Sequence, residues 1–121
     1  MGDLSQNFSK KEFECKCGCG HNNINTRLIN KLQRARTDLN KPIEISSGCR
    51  CNNHNSRIGG FKNSTHLDGL AVDIICSKSK KRLELLTVLM RYFNRIGVSN
   101  QFIHVDIGIG IEEPQDVLWI Y

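Results

Sequence analysis

Two short segments, separated by about thirty residues, place histidine and aspartate among alternating apolar residues. The first contains His66 and Asp73, and the second contains His104 and Asp106. His66 and Asp73 are seven residues apart, a spacing too wide for two ligands on adjacent turns of a helix. The spacing instead favours a loop that carries His66 and leads into a strand that carries Asp73. The chain is therefore expected to fold around a small sheet that brings both segments to one polar site.

Strand geometry indicates which side chains share that site. On a strand over residues 102–107, successive side chains point to opposite faces, so His104 and Asp106 would face a cleft and the apolar residues between them the core. Asp73 ends a second run with the same alternation. Two imidazoles and one carboxylate are typical of a zinc ion that keeps an open position for water. We predict a Zn²⁺ site formed by His66, Asp73 and His104.

The fold class expected from hydrophobic periodicity is α+β. Helices are predicted over residues 26–39 and 79–96, with Gly97 as the end signal of the second. Residues 48–63 are predicted to be one long loop. Strands are predicted over residues 43–47, 70–75, 102–107 and 117–121. The resulting architecture is a single small domain, residues 1–121, with two main helices packed on a small antiparallel sheet and the zinc site in a cleft.

Charge and hydropathy exclude several classes of partner. The net charge is +5, but the basic residues are scattered apart from a cluster within residues 78–82, and no aromatic residues interleave with it. We therefore expect no nucleic-acid partner. No apolar run approaches the roughly 20 residues that span a bilayer, so membrane insertion is not expected. The first residues lack the basic and apolar regions of a secretory signal, which predicts synthesis in the cytoplasm.

The six cysteines leave more than one interpretation open. Cys76 stands apart and is expected in the core. Cytosolic synthesis argues against disulfides at the outset, and the Cys-X-Cys-X-Cys spacing is not that of a zinc finger. The alternatives are a second, structural metal ion, disulfides formed after release into an oxidising compartment, or free thiols. The residues concerned are Cys15, Cys17, Cys19 and Cys51, with Cys49 nearby.

The motif Ser-X-His-X-X-Gly-X-Ala-X-Asp over residues 64–73, followed by the strand-borne His104, resembles that of the zinc peptidases that cut D-amino-acid bonds in peptidoglycan. These include D-alanyl-D-alanine carboxypeptidases, vancomycin-resistance dipeptidases and phage L-alanyl-D-glutamate endolysins. Residues 45–55 look like the strand and arginine loop of the family, and residues 13–20 are similar to the start of its small, often phage-encoded branch. The resemblance implies a zinc metallopeptidase of D,D or L,D type that hydrolyses stem peptides or cross-links.

Carried over to this sequence, the resemblance implies roles for individual residues. Arg50 would steady the substrate carbonyl and the developing oxyanion, and Ser64 would hydrogen-bond the substrate. Several relatives place a carboxylate three residues before the last histidine as the general base, and here that position is Gln101. Asp106 is the substitute candidate, either as the base or as a partner that orients His104. The implied zinc ligands are His66, Asp73 and His104.

The resemblance also implies a place of action. The positive net charge favours approach to an anionic cell wall. In the absence of a secretory signal, we expect the protein to reach the wall after phage-type release or as a virion component. The alternative from another class is a non-catalytic zinc-containing module that binds the cell wall or a protein, with Gln101 as the mark of lost catalysis. Neither the bond cleaved nor the oligomeric state is indicated by the sequence.

Overall fold

The elements of the fold are those of an α+β protein, as the sequence predicts. The computed structural model describes residues 2–60, 64–108 and 115–121. Within these residues, no helix is long and apolar enough to cross a membrane. The α-helices are α1 (Thr26–Leu39), α2 (Asn52–Arg57) and α3 (Ser79–Leu89), and 3-10 helices cover Lys10–Phe13 and Thr65–Asp68. The strands are β1 (Ile45–Ser47), β2 (Ala71–Ile75), β3 (Arg95–Val98), β4 (Phe102–Asp106) and β5 (Val117–Ile120).

The strands form one sheet in the order β1-β2-β4-β3-β5. The β1–β2 and β2–β4 pairs are antiparallel, as predicted. Strand β3, which was not predicted, also pairs antiparallel with β4, whereas β5 runs parallel to β3 and departs from the all-antiparallel sheet expected. The register places Asp73 opposite His104, His104 opposite Gly97, and Gly97 opposite Trp119. Directly opposite residues share a face of the sheet. One row across four strands therefore carries two of the predicted zinc ligands.

The other face of the sheet carries the core. Helix α1 begins at the predicted residue because the Asn25 side chain accepts hydrogen bonds from the backbone N–H groups of Arg27 and Leu28. Its C-cap is Asn40, whose φ of 53° lies in the left-handed region that asparagine tolerates. The apolar stripe of α1 packs with α3 on the sheet, and this core includes Leu28, Leu32, Val72, Ile74, Leu85, Leu89, Ile103 and Val105.

The predicted helix over residues 79–96 is wrong in its last third. Helix α3 ends at Leu89, and Arg95–Val98 is strand β3. The segment alternates apolar and other residues with a period of two, and pairing with β4 and β5 overrides the weak helical preference. Gly97 is therefore not a helix end. A Cβ at this position would lie 2.4 Å from Trp119 Nε1, so only glycine leaves room for the indole over the sheet.

The segment predicted to be one long loop contains a short helix. Residues 52–57 form α2, and the N-cap is Cys51, whose Sγ accepts from the His54 backbone N–H. Serine, threonine, aspartate and asparagine are the usual N-caps, so a thiol in this position offers no start signal in the sequence. The strand predicted over residues 43–47 is also shorter, because β1 begins at Ile45.

Candidate metal centre

The three predicted zinc ligands lie side by side in the structure. Antiparallel pairing of β2 with β4 brings Asp73 next to His104, and the 3-10 helix that leads into β2 places His66 beside them. The side-chain oxygen of Ser64 caps this helix by accepting from the His66 backbone N–H at 3.2 Å. Gly69 ends it with a φ of +68°, where a Cβ would collide with the Asn23 carbonyl. One ligand atom from each of the three side chains lies within 4.8 Å of the others.

Two of the distances between these atoms are close to those around a small tetrahedral ion. His66 Nε2 lies 3.3 Å from Asp73 Oδ1, and His104 Nδ1 lies 2.9 Å from the same oxygen. Ligand atoms that bind zinc at roughly 2.0–2.1 Å in tetrahedral geometry are about 3.3 Å apart. His66 Nδ1 lies 2.6 Å from the Gly48 carbonyl and therefore carries the proton, which leaves a lone pair on Nε2. That buried Nε2 has no hydrogen-bond partner among the described residues, and a zinc ion would satisfy it.

The Asp73 carboxylate is charged and divided between two sets of partners. Burial raises its pKa, but the neighbouring imidazoles of His104 and His66 outweigh burial and hold the pKa well below its usual range. Oδ1 faces the two imidazoles, whereas Oδ2 accepts from Arg50 Nη2 at 3.3 Å. Metal ligation requires the deprotonated carboxylate, so Asp73 is ready to bind a cation.

Asp106 is 1% exposed and is held from several sides. Its Oδ2 lies 2.7 Å from His104 Nε2, and its Oδ1 accepts from Arg95 Nε and from the Gly108 backbone N–H. Burial raises the pKa of Asp106, but hydrogen bonds from His104, Arg95 and the Gly108 N–H lower it by more, so the group is a carboxylate. Its contact with Nε2 leaves Nδ1 of His104 facing Asp73. Carboxylate partners of this kind commonly orient metal-binding histidines.

The pKa of His104 responds to both carboxylates. Burial lowers it, but the hydrogen bonds with Asp106 and Asp73 raise it and determine the net direction. Without a metal ion between the side chains, a doubly protonated His104 ring donates from Nδ1 to Asp73 and from Nε2 to Asp106. A metal ion would take the place of the proton on Nδ1, while Nε2–H remains donated to Asp106.

Arg50 lies at the edge of the centre and is fixed by three side chains. Its guanidinium donates to Ser47 Oγ at 3.3 Å, to Asn55 Oδ1 at 3.2 Å and to Asp73 Oδ2. Asn55 lies on α2 and is only 4% exposed, and sequence reasoning missed it because the helix was predicted to be loop. A Cβ at Gly60 would lie 2.1 Å from Asn55 Oδ1, so that glycine allows the backbone to close on this pair.

Arg95 and Trp119 are also part of the centre and were missed. The predicted helix over residues 79–96 hid the pairing of Arg95 with Asp106. The available signal was the alternation of Arg95, Ile96, Gly97 and Val98, which is typical of a strand. The ring of Trp119 lies 5.4 Å from that of His104, and the Arg95 guanidinium carbon lies 5.5 Å from the indole. The Trp119 side chain, on β5, thus reaches across Gly97 of β3 to contact the His104 ring.

These residues line a cleft of about 520 Å³. Its described walls include Arg50, Ser64, His66, Asp73, His104 and Tyr121. Among the described residues that line it, the carboxylates are Asp73 and Asp106. Gln101 is exposed in the turn before β4, outside this set. The arrangement provides a cation site, a fixed guanidinium and room for a peptide-sized ligand.

The cysteines gather at a separate place. Cys15, Cys17, Cys19 and Cys51 have sulfur atoms within 4.8 Å of one another. Cys76 is buried in the core, as predicted, and Cys49 is buried without joining this group. All six cysteines are free thiols in the structure.

Comparison with known proteins assigns the family. The chain matches the peptidase M15 family over residues 6–106, which is most of its length. A comparison with curated protein sequences finds no match. The matched segment contains the three candidate zinc ligands, Arg50 and Asp106, and strands β1 to β4. The chain therefore belongs to the peptidase M15 family of zinc peptidases.

Proposed function

We propose that this protein hydrolyses peptide bonds in the stem peptides or cross-links of peptidoglycan, as a D,D- or L,D-type peptidase. The observation that carries the proposal is the buried Nε2 of His66, which has no hydrogen-bond partner within residues 2–60, 64–108 and 115–121 and lies near Asp73 and His104 beside a fixed arginine. These three residues would hold one Zn²⁺ ion. The chemistry that zinc supplies when bound is polarisation of the scissile carbonyl and activation of water.

Arg50 is the group we assign to the substrate carbonyl. Its contacts with Ser47, Asn55 and Asp73 fix the guanidinium before any substrate arrives, and it borders the cleft. Preorganised donors stabilise developing negative charge because they need no reorganisation during the reaction. Arg50 would donate to the carbonyl oxygen as it gains charge. Ser64 accepts from the His66 backbone, so its hydroxyl proton remains available to a substrate carbonyl.

Asp106 has two candidate roles, and the geometry favours orientation of His104. A general base must reach the proton that it removes, with an oxygen free to accept it. Asp106 is almost fully buried, and both of its oxygens already accept hydrogen bonds from His104, Arg95 or Gly108. We therefore assign it as a positioning residue. The attacking water would then lose its proton without a dedicated carboxylate base among the described residues of the cleft.

Asp106→Asn distinguishes the two roles. We expect zinc affinity to fall about 10- to 100-fold, because the amide weakens the hold on His104, with hydrolysis partly restored by excess zinc. The measurements are zinc dissociation by competition with a chelating dye and turnover as a function of zinc concentration. If Asp106 were the base, turnover would fall at every zinc concentration while zinc affinity remained that of the wild type.

The place of action that suits this substrate is the cell wall. We propose that the protein is made in the cytoplasm and reaches peptidoglycan after phage-type release or as a virion component. The net charge of +5 supports this proposal, because it attracts the protein to anionic wall polymers.

Digestion of purified sacculi tests the activity. Incubation with the zinc-loaded protein is expected to release peptides whose new termini, identified by mass spectrometry, report the bond cleaved. A sample treated with chelator is the control and should release none. Sacculi that bind the protein but yield no new termini over a range of zinc concentrations would contradict the peptidase proposal. They would instead favour the non-catalytic binding module.

A further inference from the structure

Four cysteines from two distant segments meet at one point on the molecule. Cys15, Cys17 and Cys19 belong to the N-terminal segment, and Cys51 directly follows Arg50. The sulfur of Cys15 lies 3.5 Å from that of Cys17 and 3.8 Å from that of Cys51, and the Cys17 and Cys51 sulfurs are 3.6 Å apart. Cys19 completes the group, in which all four sulfurs lie within 4.8 Å of one another.

These distances match the edges of a metal-thiolate tetrahedron. Sulfur atoms that bind zinc at about 2.3 Å in tetrahedral geometry are about 3.8 Å apart. A disulfide would instead bring one pair of sulfurs to about 2.05 Å, and it would not account for the short distances from that pair to the other two sulfurs. The three separations of 3.5, 3.6 and 3.8 Å are instead similar to each other. A shared ion accounts for the close approach of four thiols.

The backbone around the group is arranged for thiolates. The N–H groups of His21, Cys51 and His54 point at the sulfurs of Cys19, Cys15 and Cys51, each at 3.4 Å. Hydrogen bonds to a charged group favour its charged form, and such contacts also orient metal ligands. Gly18, between Cys17 and Cys19, and Gly20, directly after Cys19, have φ of +85° and +83° and allow the chain to turn sharply on both sides of Cys19.

We propose that Cys15, Cys17, Cys19 and Cys51 bind a structural Zn²⁺ ion, separate from the His66–Asp73–His104 centre. Binding replaces up to four thiol protons by one Zn²⁺ ion held by four thiolates. Within residues 15–20, only Cys15 is buried, so this segment has little core of its own. A closed thiolate site supplies the missing stabilisation, since structural zinc contributes directly to folding.

The ion would also fasten the loop that carries Arg50. Cys51 is at once a ligand and the N-cap of α2. Helix α2 carries Asn55, which accepts from the Arg50 guanidinium. The metal ion would thus link the N-terminal segment to α2, and α2 in turn holds the Arg50 guanidinium through Asn55. Loss of the ion is expected to loosen residues 49–57 even where the His66 centre is intact.

Metal counting with matched variants tests the proposal without reference to hydrolysis. Wild-type protein, purified under reducing conditions, is expected to hold two zinc ions per chain. Inductively coupled plasma mass spectrometry measures the number of ions. His66→Ala/His104→Ala should hold one, and Cys17→Ser/Cys51→Ser should hold one. Cys76→Ala, which removes a buried thiol outside the group, should retain two. Two ions in Cys17→Ser/Cys51→Ser would overturn the proposal.

Cobalt substitution keeps the test decisive if the cysteine variant fails to fold. The full chain carrying His66→Ala/His104→Ala is expected to bind one Co²⁺ with the intense near-ultraviolet charge-transfer absorption of thiolate ligands. A chain that binds no Co²⁺, or binds it without this absorption, contradicts the proposal. Peptide mapping that finds the four cysteines paired in disulfides would also contradict it.

Hydrogen exchange tests the supporting role for Arg50. In Cys17→Ser/Cys51→Ser, we expect faster amide hydrogen exchange over residues 49–57. Unchanged exchange there would overturn the supporting role for Arg50.

Discussion

Replacing His66 with alanine is expected to lower peptide-bond hydrolysis about 10³-fold or more and to remove the zinc ion of this centre. The change deletes one of the three proposed ligands, namely the one whose buried Nε2 lies near the other two side chains. A catalytic metal stabilises the transition state by several kcal/mol, and each 1.36 kcal/mol is about tenfold in rate. The measurement is release of peptides from sacculi, with the zinc content determined on the same samples.

His54→Ala is the matched control for this prediction. His54 lies on α2 and is not part of the His66–Asp73–His104 group, so its replacement should leave both rate and zinc content at the wild-type level. Thermal melting of both variants separates loss of the site from loss of the fold. Hydrolysis at the wild-type rate by His66→Ala, with as many zinc ions per chain as the wild type, would show that the centre lies elsewhere.

Replacing Arg95 with methionine is expected to lower the free energy of unfolding by about 3–5 kcal/mol. The side chains of Arg95 and Asp106 are 11% and 1% exposed, so the variant would leave a buried carboxylate without its cation. A small domain is stable by only about 5–15 kcal/mol, so this loss is a large fraction of the total. Urea-induced unfolding with zinc in excess, followed by circular dichroism, measures it.

Arg91→Met provides the surface comparison. Arg91 pairs with Asp38, but its side chain is 56% exposed, and such pairs contribute at most about 1 kcal/mol. The double variant Arg95→Met/Asp106→Asn should recover part of the loss, because the unpaired charge is gone. A cost for Arg95→Met no larger than that for Arg91→Met would contradict a structural role for the buried pair.

The parts of the site that follow from the sequence are those encoded over short spans. The alternation in residues 102–107 predicted that His104 and Asp106 share a face, and the register of β4 confirms this. The spacing from His66 to Asp73 indicated a loop leading into a strand, and the structure has a 3-10 helix followed by β2. Helix α1 has the predicted bounds because its apolar period and its Asn25 cap agree.

The parts that the sequence does not reveal depend on distant partners. The local pattern predicts that Arg95 lies at the end of a helix. It lies in a strand instead, because its segment pairs with β4 and β5. Asn55 joins the site because a thiol caps α2, a cap with no recognised sequence signal. The two oxygens of Asp73 have different partners, His104 for Oδ1 and Arg50 for Oδ2. These contacts likewise form only when distant segments of the chain pack together.

Sequence alone indicated the types and order of the candidate ligands. It also predicted the strand face that carries His104 and Asp106, because side-chain direction repeats every two residues along a strand. Tertiary structure decided which nitrogen of each histidine faces the centre, that Asp106 is buried against Arg95, and that four cysteines from two segments meet. Those outcomes depend on which segments pair. Pairing gains its free energy from burial and hydrogen bonds between residues far apart in the chain, and no local pattern records it.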